Sequence, residues 1–464
     1  MIPVPIPEEL GQIARALALE GGRAILVGGA VRDCLLGSSK VKDCDVEVFG
    51  LGSESLEQQL KRWGRVELVG KSFGVWKLWT PSASYDFSLP RRERKIAPGH
   101  QGFSVTAHPE MSFAEASSRR DFTINSMGYE ITTQSWHDPH GGMADLSRQI
   151  LRHVGPAFSE DPLRAFRAVQ FVGRFQLSLH PDTVRLCRVQ DLREVAPERV
   201  FEELRKLLLR APAPSLGLLA LREINALSLF PELEALIGVP HEPEWHPEGD
   251  VWAHTLMVLD EAARLREPEN PDSLEELALM LGALCHDMGK PATLERQQGR
   301  WQTPKHDLAG ETLADQFLCR LTWHQQLREL VKGLVRNHLS VVQLHQQREV
   351  LGPGAIRRLA LRVSIPLLVR LAQADFSGRT LPEALRREFP AGTWLLEEAE
   401  RLAVMESQPH PLLKGRHLME LGVLPGPEMG ALLREAFEKQ LDGEFDSVES
   451  GITWVEARLK TACS

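Results

Sequence analysis

Cysteine is scarce in this chain. The six residues Cys34, Cys44, Cys187, Cys285, Cys319 and Cys463 follow no framework spacing, which argues against a disulfide-stapled secreted scaffold. The opening MIPVPIPEELGQ lacks the basic and apolar stretches of a signal peptide. No uninterrupted apolar run approaches the ~20 residues of a membrane span. A reduced, cytoplasmic protein with no membrane partner is therefore expected. There is no excess of positive charge either: 54 basic against 63 acidic residues give a net charge of −9. That excludes a basic coat that binds nucleic acid everywhere, but leaves room for a local basic surface. Internal repeats and low-complexity tracts are absent.

What is present is ample core material. The 464 residues are 43% hydrophobic and 25% charged, enough for about three domains at roughly 150 residues each. The first ~150 residues read as mixed α/β. A helix is expected over Glu8 to Leu19, then an apolar strand Ala24 to Val27, a glycine pair, and a short helix around Val31 to Leu36. Strand-like stretches follow at Asp43 to Phe49, Val66 to Val69, Val75 to Trp79 and Tyr85 to Leu89. From Pro162 onward Leu, Ala, Arg and Glu recur at helical spacing, as in Arg199 to Leu209. The loop chemistry of Pro240 to Gly249 suggests a boundary, followed by helical blocks to about Arg379 and from Leu381 to Ser464.

Chemistry concentrates in LVGGAVRDCLLGSSKVKDCDVEVFG. Gly28 and Gly29 stand between strand and helix, where bare backbone N–H groups can approach an anion, and Arg32 suits phosphate. Asp43 and Asp45 lie at i and i+2 on a strand, so their carboxylates project from one face. Left alone they repel; two hard divalent cations about 3.5–4 Å apart turn that repulsion into a phosphoryl-transfer clamp. Asp86, in SASYDFSL, fits a third acid on a neighbouring strand, and Glu47 shares the face of the pair if alternation continues. Between Asp86 and Arg119 a loop carries the densest basic cluster, Arg91, Arg92, Arg94 and Lys95.

L-V-G-G-A-V-R-D followed by K-D-C-D resembles the signature of the polymerase-β-like nucleotidyltransferases, in particular the bacterial tRNA nucleotidyltransferase (CCA-adding) and poly(A) polymerase group. Four further segments continue the resemblance in order: RRDFTINSM, DPHGGMADL, EDPLRAFRAVQF and ERVFEELRKLL. The resemblance implies an α/β polymerase-β-like head followed by mostly α-helical neck, HD and tail domains. The bounds expected are 1–150, 151–240, 250–380 and 381–464. It implies Mg²⁺ at Asp43 and Asp45, with Asp86 helping to activate a 3′-hydroxyl. It also implies nucleotide contacts from Gly28, Gly29, Arg32, Arg120, Asp121, Asp161, Arg164 and Arg167. Physically, i, i+3 spacing puts Asp161 and Arg164 on one helix face, where acceptor and donor can meet a base edge. Because VGKSFGVWKL lacks the Arg-Arg-Phe element of poly(A) polymerases, the resemblance favours the CCA-adding branch of the longer bacterial type.

Downstream, His254, the dyad His286–Asp287 at an expected helix start, and Asp375 are similar in order to the HD-domain metal phosphohydrolases. One imidazole and one carboxylate from the dyad suit a divalent metal, with His254 and Asp375 completing the set. His306, expected in a loop, and His338 fall where two-metal members carry ligands for a second ion, and Lys290 suits a substrate phosphate. The resemblance implies hydrolysis of 2′,3′-cyclic phosphates or phosphomonoesters by metal-activated water. The reading is thus a template-independent enzyme that adds CCA to tRNA from CTP and ATP, with tRNA as partner and an associated phosphohydrolase; sequence leaves monomer and homodimer open. The alternatives are an A-adding, CC-adding or poly(A)-adding relative, and an HD phosphohydrolase with a non-catalytic RNA-binding head.

Overall fold

The computed structural model describes residues 4–38, 44–69, 74–95 and 103–462. It resolves into two units, Met1–Leu207 with Leu216–Leu229, and Leu208–Ser215 with Phe230–Ser464. Among the described residues, nine strands fall in the head of the first unit. They are β1 (Arg23–Val27), β2 (Cys44–Phe49), β3 (Arg65–Val69), β4 (Val75–Trp79), β5 (Ser84–Ser88), β6 (Arg91–Lys95), β7 (Phe103–Ala107), β8 (Gly128–Glu130) and β9 (Ser135–His137). Seven form one sheet in the order β3-β4-β5-β2-β1-β8-β9. Pairing is antiparallel except between β2 and β5, which run parallel.

Burial explains the order. Ala24 to Val27 of β1 and Val46 to Phe49 of β2 are buried in consecutive runs, as expected for central strands covered on both faces. The helix Glu8–Leu19 buries Leu10, Ile13, Ala14 and Leu17 along one stripe. Ile25, Val27, Phe49, Phe113 and Ala116 form a second cluster. Gly128 is needed there, because a Cβ would lie 2.6 Å from the Phe113 ring. Strand β3 is largely exposed and lies at the sheet edge.

One local expectation changes. The basic run read as a loop pairs instead as the hairpin β6–β7. The segment after Arg120 makes a 3₁₀ turn over Thr123–Asn125 before β8 begins. Here the Asp121 carboxylate accepts from the Phe122 main-chain N–H at 2.8 Å and from Asn125 Nδ2 at 3.0 Å, offering the backbone an alternative to the sheet ladder.

Beyond the sheet the chain is helical. In the first unit, Leu163–Phe175 buries Leu163, Ala165, Phe166, Ala168 and Val169. In the second, Leu274–Cys285 is buried without a break from Glu276 to Cys285 and so occupies the centre. Val251–Arg264, Gln325–Asn337 and Ile365–Ser377 pack against it. The tail helices Gly415–Glu420, Pro427–Asp442 and Val448–Ala462 share a small core of Leu413, Leu418, Met429, Ala436, Phe445 and Val455. Among the described residues no helix is long and apolar enough to cross a membrane.

Candidate nucleotide cleft and metal centre

Asp45 and Asp86 meet through strand register. Parallel pairing of β2 with β5 sets Asp45 opposite Asp86, and antiparallel pairing with β1 sets Asp45 opposite Val27, next to the glycine turn. Asp86 Oδ1 forms an ion pair with Lys77 Nζ at 3.6 Å, too long for a hydrogen bond. Two in-register carboxylates are a donor set that fits a hard divalent ion. Asp43 lies outside the described residues.

Gly28 has φ of 75°, a conformation that favours glycine. A Cβ there would sit 3.6 Å from Asp45 Oδ2 and 3.7 Å from Arg120 Nη1, so the bare backbone lies between a carboxylate and a guanidinium. Glu47, two residues beyond Asp45 on the same strand, is fully buried and accepts from Arg120 Nη2 at 3.2 Å, with Arg119 Nη2 at 3.5 Å. It therefore anchors the arginine segment to the sheet.

A cleft of about 570 Å³ opens here. Its lining brings together Gly28, Gly29, Arg32, Asp45, Arg120, Asp121, Asp161, Arg164 and Arg167, all expected from sequence. It adds Asn125, Gln170, Arg174, Arg199 and Lys206, which sequence reasoning did not single out. Seven cationic side chains face three carboxylates, a balance that suits a polyphosphate despite the net negative chain.

Many of these groups are already braced. Arg32 is buried, donates to Asn125 Oδ1 at 2.6 Å and Asp33 Oδ1 at 2.6 Å, and lies over the Phe175 ring at 4.3 Å. Burial pulls its pKa down despite the Asp33 carboxylate. Asp121 Oδ2 accepts from Arg167 Nη2 at 2.6 Å and Nε at 2.9 Å. Burial alone would raise the Asp121 carboxyl; Arg167, Asn125 and the Phe122 N–H outweigh it and hold it below the usual range. Arg164 donates to the carbonyls of Ala157 at 2.7 Å and Arg119 at 2.9 Å. A guanidinium has five N–H donors, so others remain available.

The helix-face argument for Asp161 needs correction. The helix begins at Leu163, and Asp161 precedes it in extended backbone. Pro162 stands between them, and proline disfavours the α region for the residue before it. The Asp161 carboxylate instead accepts from the Leu163 N–H at 3.1 Å and pairs with Arg199 at 3.0 Å. It still lines the cleft.

The second unit collects histidines around Asp287. His286 caps the end of Leu274–Cys285, so the dyad sits at a helix end rather than the start expected. The apolar run continues to Cys285 and places the dyad deep in the core. Asp287 Oδ2 lies 3.3 Å from His286 Nε2 and 3.9 Å from His254 Nε2, which is itself 3.1 Å from Asp375 Oδ1. On its other oxygen, Oδ1 is 3.6 Å from His306 Nε2, which lies 3.2 Å from His338 Nε2. His306 opens the helix His306–Cys319 instead of lying in a loop.

Each imidazole is oriented from behind. Nδ1 of His286, His306 and His338 faces the carbonyl of Ala283, Thr303 or Val335 at 2.9, 2.8 and 2.6 Å. A carbonyl only accepts, so each Nδ1 carries a proton, and Nε2 is the ring atom turned toward the cluster where a metal would be ligated. For His254 the acceptor is Glu248 Oε1 at 2.7 Å. His286 Nε2 and Asp287 Oδ1 are buried without hydrogen-bond partners, while Asp287 Oδ2 pairs with Lys290 Nζ at 2.7 Å. The chemistry of this set fits two divalent ions sharing Asp287: the groups His254–His286–Asp287 and Asp287–His306–His338 each gather within 4.8 Å.

Burial raises the Asp287 and Asp375 carboxyls, yet the surrounding cations win and hold both well below the usual range. Burial pushes His338 down to about 4.

Three family models match the chain: Poly A polymerase head domain over 24–152, Probable RNA and SrmB- binding site of polymerase A over 177–237, and HD domain over 251–375. The multifunctional CCA protein of Xanthomonas campestris pv. campestris strain B100 is 36% identical over 427 residues, 89% of this chain and 96% of that protein. The multifunctional CCA protein of Methylococcus capsulatus is 36% identical over 430 residues, covering 89% and 93%. This chain belongs to the multifunctional CCA protein family. Among solved structures, the Bacillus stearothermophilus CCA-adding enzyme in complex with CTP shares the fold with a TM-score of 0.66, at 21% identity over 98% of both chains. The Thermotoga maritima CCA-adding enzyme complexed with tRNA has a TM-score of 0.59 at 19% identity, covering 98% and 97%.

Sequence reasoning passed over one part of this histidine cluster. Pro240 to Gly249, read as a boundary loop, contributes His241, His246 and Glu248. Their signal was present: two histidines and a glutamate within eight residues, close before His254. Glu248 Oε1 accepts from His246 Nδ1 at 2.8 Å as well as from His254. These two bonds hold its carboxyl below the usual range against the opposing effect of burial. His241 Nε2 accepts from Lys290 Nζ at 2.9 Å, and burial with that ammonium drives its pKa down to about 2.

Proposed function

We propose that this protein adds C, C and A to the 3′ end of tRNA from CTP and ATP in its first unit. In the same reading, its second unit hydrolyses 2′,3′-cyclic phosphates or phosphomonoesters. The observation that carries the first activity is the in-register facing of Asp45 and Asp86 beside a cationic cleft. In the transfer, the terminal 3′-oxygen of RNA bonds to the α-phosphorus of the nucleotide, the bond to the bridging oxygen breaks, and pyrophosphate leaves. Asp43 and Asp45 would hold Mg²⁺, which when bound supplies charge neutralisation and a more acidic 3′-hydroxyl. Asp86 takes the hydroxyl proton. Backbone N–H groups at Gly28 and Gly29, with Arg120, hold the triphosphate, and Arg32 braces the turn. Asp121 and Arg167 set the sugar, while Asp161 and Arg164 meet the base edge. Because every tRNA must be accepted, the helical part reads backbone and shape rather than sequence.

In the second unit, His254, His286, Asp287 and Asp375 would hold one divalent ion and His306 with His338 a second. Imidazole and carboxylate donors together admit several first-row metals. Lys290 lies 2.7 Å from Asp287 Oδ2 and offers a cation to the substrate phosphate.

The decisive experiment uses three tRNA transcripts, lacking CCA, lacking only the final A, or complete, each incubated with CTP and ATP and resolved on a gel. Growth of the first by three nucleotides, of the second by one and of the third by none is expected. Extension confined to a single type of step would overturn the full CCA reading.

A further inference from the structure

The metal pocket of the second unit has an aromatic rim that phosphate hydrolysis itself does not require. Trp245 and Trp301 both line it. Trp245 is 53% exposed, which leaves a large apolar ring in water beside a polar site. Its backbone is nevertheless held in place. The Trp245 main-chain N–H donates to the Glu242 carbonyl at 3.0 Å, and the next residue, His246, stacks on His241 with centroids 4.0 Å apart. The Glu242 carboxylate in turn accepts from the Trp301 main-chain N–H at 3.0 Å. Arg300 pairs with Glu244 at 3.0 Å. One residue, Glu242, thus ties the loop and the hairpin Glu295–Gln302 together, and each segment carries one indole. The same cavity, about 270 Å³, is lined by Asp287, Lys290 and Arg379. Arg379 Nε is buried and has no hydrogen-bond partner.

We propose that Trp245 and Trp301 form a stacking site for the nucleobase adjoining the scissile phosphate. The second unit then prefers nucleotide substrates, such as RNA 3′ ends bearing a cyclic or terminal phosphate, over phosphomonoesters that have no base. A bare phosphate ester would satisfy the cations and leave the Trp245 indole in water, while Trp301, half-buried with Arg296 over its ring at 5.3 Å, offers one wall. Stacking depends little on base identity because every base has a π-face, so the site separates base from no base and accepts any terminal nucleotide. This inference rests on the phosphohydrolase reading.

The test uses the full chain saturated with Mn²⁺ and compares adenosine 2′-phosphate with glycerol 2-phosphate in wild type, Trp245→Ala, Trp245→Phe and Trp301→Ala. Trp245→Ala is expected to lose ~5- to 150-fold in kcat/KM for the nucleotide, mainly through KM, the range that loss of base–aromatic stacking gives. Glycerol 2-phosphate turnover should be unchanged, and Trp245→Phe should retain most of the preference. Equal losses on both substrates, or a nucleotide preference untouched by either indole-to-alanine change, would overturn the stacking site. A wild type that hydrolyses neither substrate defeats the phosphohydrolase reading alone. Binding then decides the stacking site: a weaker Kd for adenosine 2′-phosphate in Trp245→Ala supports it, and an unchanged Kd overturns it.

Discussion

Glu248 shows how a residue outside the expected ligand set controls one inside it. Its Oε1 receives both His254 Nδ1 and His246 Nδ1, so it fixes the tautomer that turns His254 Nε2 toward Asp375. Glu248→Ala should weaken metal binding by about 10- to 100-fold, the usual cost of losing such a support, measured by competition with a chromophoric chelator. Asp121 gives a second residue-scale prediction. Its folded pKa is held below the ordinary 3.8, so its ionised pairing with Arg167 stabilises the fold fully above that ordinary value. The contribution is lost as pH falls through the lower folded value. Asp121→Asn should cost ~1.5–3 kcal/mol in urea unfolding at neutral pH, as for hydrogen bonds to charged groups. The gap from wild type should close only in acid below the ordinary value.

At the scale of elements, close approach decides whether the two metal groups can share Asp287. A Cβ on Gly289 would lie 2.0 Å from the His306 carbonyl oxygen and 2.6 Å from the Gly310 nitrogen. The turn after the dyad therefore rests directly on the first turn of His306–Cys319. Gly289→Ala should push that helix away, costing ~1–3 kcal/mol as overpacking does and lowering metal stoichiometry, read by thermal unfolding and elemental analysis. In the first unit the parallel β2–β5 pairing has the same standing. A slip of one residue would turn Asp86 to the opposite face from Asp45.

For the whole molecule, each unit carries its own core and its own cluster of acids, and all the groups proposed for either reaction fall within one unit. Asp45→Asn should lower nucleotide addition by on the order of 10²–10³-fold, comparable to deleting a transition-state charge partner, while phosphohydrolysis persists. Asp287→Asn should do the reverse. A labelled-nucleotide incorporation assay and a phosphate-release assay on the same preparations check both, and loss of both activities in either variant would contradict the division. A chelator should abolish both reactions together.

Sequence by itself supplied the candidate site residues and placed several element boundaries near them. The helix Glu8–Leu19 and the strand Val75–Trp79 fall where periodicity puts them, because a one-sided apolar stripe or a strict alternation has only one local solution. The glycine turn was legible for the same reason, since positive φ leaves few residue choices. Tertiary structure alone decided which of these residues meet. Nothing local in SYDFS pairs Asp86 with Asp45; parallel register across an intervening crossover does. Nothing local tells that Arg199 would claim Asp161, that His306 would open a helix, or that the loop Pro240 to Gly249 would support a metal centre. Those outcomes depend on contacts between segments far apart in the chain, whose free energy no single segment contains.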